Sequence, residues 1–414
     1  MRTFRNRVAF FGLFGTGNSG NDGSFEAMLS FLRRVRPDAE AICICSGPDY
    51  VRRTFDVRTV SIGGAAPGAP ARRAAGSVPG RLVGQLGSFW RALRVMRECD
   101  ALIMPGTGVL DDFGDGPFGV PLALLGWCVA ARLAGARIAF VSVGAGPIKA
   151  RLGRLFARLA AGLAHYRSYR DAVSKDFMTG IGVDTRSDHV VPDLAFALPA
   201  PSRQERSGDA PLTVGLGVMA YYGWRNDRSG GAALHARYVG QIVRFARALL
   251  REGYRVRLLT GDTADRDTLD EIMSALVDAG HPPDEVATAP INSLHDVMQQ
   301  MARTDVVVAT RYHNVVCALR MHRPVISIGY AAKNDVLLGK VGLAGFCQHI
   351  EALDLELLTR QFAELVASRA ELEAQIGAAV DGFRRRLAAQ EDALLAGVLA
   401  RPFEAAISRQ AGGG

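Results

Sequence analysis

The sequence predicts an α/β protein built from two mostly parallel, doubly wound sheets. Three observations predict it. Short apolar runs alternate with helix-like stretches along most of the chain, the rhythm of repeated βαβ units. That rhythm breaks once, at Pro199–Pro211 (PAPSRQERSGDAP), which has the composition of a linker, and then restarts. At 414 residues the chain is too long for one ordinary domain, and two of ~200 residues each is the natural division. Two Rossmann-like halves with a cleft between them are therefore expected, residues 1–198 and 212–352 joined by the linker 199–211.

In the first half RVAFFGLF, AEAICICSG, VRTVSIG, ALIMPG and RIAFVSVGAG read as strands, with HYRSYRD and HVVPD as shorter ones. Between them lie helix-like stretches such as Ser24–Val35, Gly80–Glu98 and Val120–Leu133. The segment Gly64–Gly80 is rich in Pro, Gly and Ala and reads as a flexible loop. In the second half LTVGLGVM, YRVRLLTGD and EVATAP read as strands, with helices at Tyr238–Glu252 and near Asp267–Ala279. Two more apolar runs follow, Val306–Ala309 and Val325–Gly329, on either side of a helical segment. From Leu353 to the end (353–414) helical periodicity dominates, and the tail AGGG reads as frayed.

Composition excludes several classes. With 49% hydrophobic and 22% charged residues the chain can bury sizeable cores. Its formal charge is +8, but only four of 49 basic residues are Lys. So strong an Arg bias reads as genome composition, and no dense basic run with interleaved aromatics is present, so no nucleic-acid partner is expected. The longest apolar stretch, Phe118–Gly135, contains Arg132 and Gly126; a membrane span needs ~20 apolar residues without a central charge, so it reads as a buried helix. Met1–Arg7 leads straight into a strand, with no secretory pattern. None of the six cysteines forms a CxxC pair, and a reducing cytoplasm is the expected compartment. Helix Gly80–Glu98 places Leu82, Leu86, Phe89, Leu93 and Met96 on one face, with Arg81, Arg91, Arg94 and Arg97 elsewhere. It reads first as a helix covering the sheet, and second as a peripheral contact with the inner face of an anionic membrane.

Chemistry is expected where strands end, because open α/β sheets bind ligands beyond the carboxyl ends of their strands. The first strand runs into FGTGNSGNDGSFEAM, where Gly12, Gly15, Gly17, Gly20 and Gly23 punctuate a turn into a helix. Such a turn can bring backbone N–H groups to an anion, with Asn21 placed to cap or to reach a ligand. It reads equally as a tight turn with Ser24 as N-cap. The fourth strand ends in MPGTGVLDDFGDG. Gly106 and Gly108 form a second close-approach loop, followed by Asp111, Asp112 and Asp115. These carboxylates have the chemistry of cation ligands or of loop caps; no partner cluster stands out, so no metal is expected. Arg170 and Asp193 lie at further strand ends, as ligand contacts or as a structural ion partner and a backbone acceptor.

The sharpest constellation is Arg311, His313, Tyr330 and Lys333, at the ends of the runs Val306–Ala309 and Val325–Gly329. Arg grips carboxylate or phosphate in a fork, and Lys supplies a compact charge. In a chain that uses Arg almost everywhere, a Lys at a strand end suggests a position that wants an ammonium. His moves protons near neutral pH. The plainer reading is a buried His bonded to backbone, with surface cations beside it.

Taken in order, GNSGNDGSFEAM, PGTGVLDD, YRDAVSKDF, VPDLAFAL and RYHNVVCALRMHRPVISIGYAAKNDVLLGKVGL resemble the polysaccharide pyruvyl transferase family over roughly residues 8–350. The last segment, with Arg-x-His and a downstream Tyr-x-x-Lys, is the most specific. Two departures are visible: Ser24 stands where the family's first loop has Asp, and Thr107 where its second loop has the middle of three glycines. The resemblance implies a glycosyltransferase-B-like architecture, with the acceptor on the first half and the donor on the second. It implies phosphoenolpyruvate as co-substrate, no cofactor, and a sugar diol as acceptor, free or lipid-linked, giving a pyruvate ketal. It implies His313 and Arg311 as catalytic residues, and Lys333, Arg170 and Tyr330 on the donor. Asn21, Gly23, Gly106, Gly108, Asp111 and Asp193 fall to the acceptor or to loop ordering. Two alternatives stay open. One is a nucleotide-sugar glycosyltransferase of the same architecture, with Asp335 as a ribose-holding acid. The other is a non-catalytic subunit of glycan assembly, motivated by Ser24 and Thr107.

Overall fold

The computed structural model describes residues 5–63, 78–111, 116–204, 210–223, 228–281 and 285–400. Most of the Gly64–Gly80 segment, the carboxylates Asp112 and Asp115, the centre of the linker and the AGGG tail lie outside the described residues. The chain divides into two compact units. Unit one takes the chain to Thr16, Ser24–Leu194 and the chain from Arg385; unit two takes Gly17–Gly23 and Ala195–Arg384. The C-terminal helical segment is therefore shared between the units and is no separate piece.

In unit one, strands β1 (Arg7–Gly12), β2 (Glu40–Cys45), β3 (Arg58–Ser61), β4 (Ala101–Pro105), β5 (Arg137–Val143), β6 (Tyr166–Tyr169) and β7 (His189–Val190) form one sheet, in the order β3-β2-β1-β4-β5-β6-β7. Every pairing is parallel. The connecting helices are α1 (Ser19–Val35), α2 (Pro48–Phe55), α3 (Val78–Met96), α4 (Val120–Leu133), α5 (Arg151–Gly162) and α6 (Ala172–Gly180).

Unit two repeats the scheme. Strands β8 (Thr213–Gly217), β9 (Arg255–Leu259), β10 (Val286–Ala287), β11 (Val306–Ala309), β12 (Val325–Gly329) and β13 (Cys347–His349) run in the order β10-β9-β8-β11-β12-β13, all parallel. Its helices are α7 (Ala232–Arg251), α8 (Arg266–Asp278), α9 (Leu294–Met301), α10 (Tyr312–Arg320), α11 (Ala332–Lys340), α12 (Leu355–Ala367) and α13 (Arg369–Ala396). Both sheets thus follow the doubly wound strand order, in which direction reverses between the first and fourth strands.

The strands read as apolar runs because parallel sheets are covered on both faces. Every residue of β4, β11 and β12 is buried. The two halves also share a polar device at the opposite edge. Asp100, just before β4, accepts hydrogen bonds from the amides of Arg5 and Arg7 at the start of β1. Asp305, just before β11, accepts one from Thr213 at the start of β8, at 2.9 Å. In each sheet a carboxylate before the fourth strand anchors the first, fixing register at the switch point.

The end of α13 is tied into unit one by Arg386, which donates to Val190 O, by the Arg34–Glu391 ion pair, and by a buried amide. Gln390 is 3% exposed; its Oε1 accepts from Ser168 Oγ at 2.5 Å and Tyr166 Oη at 3.2 Å, and its Nε2 donates to Ser142 Oγ at 3.1 Å. Gln390→Leu strips these hydroxyls of a shared partner. It should cost ~1–3 kcal/mol, read as a lower urea midpoint at unchanged slope.

Candidate active site

The switch point of unit two lies beyond β8 and β11. Arg311 leaves the end of β11 as N-cap of α10. Its guanidinium is already engaged: Nε and Nη2 donate to Asp265 Oδ2 and Oδ1 at 2.8 and 2.6 Å. Asp265 has no exposed side-chain surface and also accepts from the Ala220 amide at 2.9 Å. The third nitrogen, Nη1, stands 3.7 Å from Asp262 Oδ2. Burial opposes the Arg311 charge, but Asp265 and Asp262 outweigh it, and the guanidinium holds its proton more tightly than an ordinary arginine. Asp262 shows the converse: burial raises its pKa, and Arg311 only partly offsets that.

His313 sits two residues on, in the first turn of α10, with its ring edge-on to Tyr312 at 5.2 Å between centroids. Lys333 lies in the first turn of α11, after the adjacent strand β12. Its Nζ donates to Tyr330 Oη at 2.9 Å and rests 4.7 Å from the Tyr330 ring and 5.6 Å from the Tyr312 ring. Among the described residues no carboxylate pairs with it. The Tyr312 ring therefore lies against both the imidazole and the ammonium. Beneath them Asn334 ties the two strands together, donating to Ser327 Oγ at 2.9 Å and Thr310 O at 3.4 Å. Asn314 fills the floor under Gly217 and Gly261; a Cβ at either glycine would come within 2.7 Å of its amide.

The Gly-rich turn behaves differently from its reading in the sequence. Helix α1 begins at Ser19, five residues before Ser24, and Asn18 caps it: Oδ1 accepts from the Gly20 and Asn21 amides at 3.1 and 3.2 Å. Ser24 is a buried residue inside the helix and not its cap. The other end of Asn18 donates to Asp262 at 3.3 Å, and the Thr263 amide donates to Gly17 O at 3.2 Å. The glycines are needed by protein neighbours. A Cβ on Gly17 would meet Thr263, on Gly20 the His313 ring, and on Gly23 Leu294. Gly20 is thus the wall against which the imidazole lies.

The remaining sequence-derived residues gather in unit one, at the carboxyl ends of its strands. Gly106, at φ +52°, packs onto Ser24; a Cβ there would lie 2.6 Å from Ser24 Oγ. One departure from the family pattern, Ser24, thus packs against the residue that precedes the other, Thr107, whose hydroxyl is buried with no hydrogen-bond partner among the described residues. Gly108 lies against Asp111. Arg170 reaches Asp171 Oδ2 at 3.5 Å and the buried Asp193 Oδ2 at 3.7 Å. So Arg170, Gly106, Gly108, Asp111 and Asp193 form one group in unit one. Arg311, His313, Tyr330, Lys333, Asn21 and Gly23 form another in unit two. Asp262, Asp265, Asn18 and Asn314 were not singled out in the sequence. The one local signal was TGDTAD, two carboxylates directly beyond β9.

A model of the polysaccharide pyruvyl transferase family matches residues 18–331, most of the chain. The chain belongs to that family. The family match spans every residue of both groups except Lys333, which lies two residues beyond its end. Solved structures similar to this pyruvyl transferase family member include Anabaena HepE, determined with UDP and glucose (14% identity, 92% of this chain and 98% of that one, TM-score 0.58). Others are a glycosyltransferase from Rickettsia africae (9%, 92% and 93%, 0.58) and a UDP-GlcNAc 2-epimerase from Neisseria meningitidis bound to UDP-GlcNAc (10%, 92% and 99%, 0.55). At these identities the likeness shows the fold: the architecture is of the glycosyltransferase-B type. A search by sequence among curated proteins found no match.

Two outcomes follow for this family member. Asp265→Ala leaves the Arg311 charge buried beside only Asp262 and should lower stability by ~3–5 kcal/mol, read by urea denaturation. Gly20→Ala forces the imidazole aside; the His313 ring resonances should shift in NMR spectra while those of His189 stay in place.

Proposed function

We propose that the protein transfers a pyruvyl group from phosphoenolpyruvate to two hydroxyls of one sugar in a cell-surface polysaccharide or its precursor, forming a cyclic ketal. One observation carries the reading. Neighbouring strands β11 and β12 deliver an imidazole and an ammonium to one sheet edge, both in contact with Tyr312. Phosphoenolpyruvate presents a carboxylate and a phosphate and needs a proton at its methylene carbon.

Lys333 has no carboxylate partner among the described residues, and we assign it to the donor's anionic groups. Tyr330 holds its ammonium. Arg311, oriented by Asp265, contributes charge and the direction of Nη1. His313, in its protonated form, gives a proton to the methylene carbon as a sugar hydroxyl attacks the adjacent carbon. The C–O bond to phosphate breaks, the second hydroxyl closes the ring, and the phosphate leaves carrying the remaining proton. The two hydroxyl protons are thus balanced by one on the new methyl group and one on phosphate. Asp193, Asp111 and the Gly106–Gly108 loop of unit one are assigned to the acceptor and its ordering, and Arg170 beside Asp193 keeps its assignment as a second contact for the donor. No metal or organic cofactor enters the scheme. The six thiols suit a reducing cytoplasm.

Isothermal titration with phosphoenolpyruvate, UDP-sugars and GDP-sugars tests the donor. Phosphoenolpyruvate should bind, and Lys333→Ala should weaken it ~10–100-fold, the loss of one charged hydrogen bond. His313→Ala should keep donor binding and lose ~10²–10⁴ in acceptor-dependent phosphate release. Binding of a nucleotide sugar in place of phosphoenolpyruvate, or undiminished release by His313→Ala, contradicts the proposal.

A further inference from the structure

We infer that α5 is a docking surface for an anionic membrane face. Its sequence, RLGRLFARLAAG, is amphipathic, yet it is seated the unusual way round. The residues it buries are small: Gly153, Ala157, Ala160 and Ala161. Its leucines face outward, with Leu152 at 45%, Leu155 at 39% and Leu159 at 44% exposure. Helices of globular domains normally turn such residues inward. Spaced i, i+3, i+7, these three form one stripe. Arg151, Arg154 and Arg158 have the same spacing and form a second, exposed stripe beside it. Phe118, 65% exposed, extends the apolar side by packing edge-on to Phe156 of the same helix.

Charge identifies the occupant. From Gly116 to Arg170 the sequence contains eight Lys or Arg and no Asp or Glu. The three stripe arginines line a hollow of about 420 Å³ with the backbone turn Gly180–Gly182. Leucines beside a row of arginines that line an open hollow match the acyl boundary and the headgroups of an anionic leaflet. At 12 residues α5 is too short to cross a bilayer and would lie along it; among the described residues no helix is long and apolar enough to cross one. The helix singled out in the sequence, α3, is less suited. Its Leu93 and Met96 are buried in the core, leaving Leu86 and Trp90 outside. Docking through α5 is independent of the donor chemistry and bears on where the protein works.

The test is co-sedimentation of the full chain with vesicles of phosphatidylcholine containing about one-third phosphatidylglycerol, against phosphatidylcholine alone. Binding should require the anionic lipid and fall with added salt. Arg151→Gln with Arg158→Gln should weaken it about fivefold per charge. Leu152→Ser, Leu155→Ser and Leu159→Ser together should weaken it at least ~10-fold. Leu86→Ser with Trp90→Ser should leave it unchanged. All of these residues are exposed, so unchanged thermal melts separate lost docking from lost fold. Absence of sedimentation, equal sedimentation with neutral vesicles, or loss only in the α3 variant overturns the inference. So does a leucine variant that changes the oligomeric state and not vesicle binding, which would assign the stripe to a second copy of the chain.

Discussion

A buried ion pair governs the chemistry available at the second switch point. Arg311 and Asp265 lie 46 residues apart in sequence and meet because β9, β8 and β11 are neighbours in the sheet. Taking both charges out of water is costly, and the cost is offset only when geometry is good and the remaining lone pairs are satisfied. Here the fork is two-pronged and the Ala220 amide adds a third hydrogen bond. The consequence is a division of labour between cations. Arg311 is locked, with two of its three nitrogens spent inside the protein. Lys333, on a flexible stem over two aromatic rings, is the charge that can adjust to a ligand.

The same economy shapes the segment Gly17–Gly23, the turn into α1 and the helix's first residues. Asn18 serves two masters, capping α1 with its oxygen and reaching Asp262 with its nitrogen. Asp262 in turn faces Arg311 Nη1. The chain Asn18–Asp262–Arg311–Asp265 therefore couples the glycine turn to the cation at the end of β11. Gly20 closes against His313 in that arrangement. Imidazole and guanidinium are thus positioned by neighbouring protein groups, Gly20 for the one and Asp265 and Asp262 for the other.

Much of this was legible in the sequence, for physical reasons that differ by element. Fully buried parallel strands read as unbroken apolar runs, so β4, β11 and β12 stand out. The short, half-polar β13 (Cys347, Gln348, His349) carries no such run, and it was not foreseen. Arg311, His313 and Lys333 were visible because a polar residue directly after an apolar run marks a strand end. Their partners were not, because Asp265 pairs through tertiary structure and nothing local distinguishes it from a helix-opening acid. The glycine turn misled in one respect. Glycine density signals close approach without saying what approaches, and here it is Thr263, His313 and Leu294. Ser24 had the residue type of an N-cap, but Asn18 caps the helix well before it, at its start at Ser19.

The proposed recognition of the donor at the edge of β11 and β12 is tested most directly by a crystal structure with phosphoenolpyruvate bound. The donor's anionic oxygens should lie on Lys333 Nζ and its methylene carbon against the His313 ring, with the Arg311–Asp265 fork intact. Donor density away from Lys333 and His313, or an Arg311 released from Asp265 to clamp the phosphate, would contradict it.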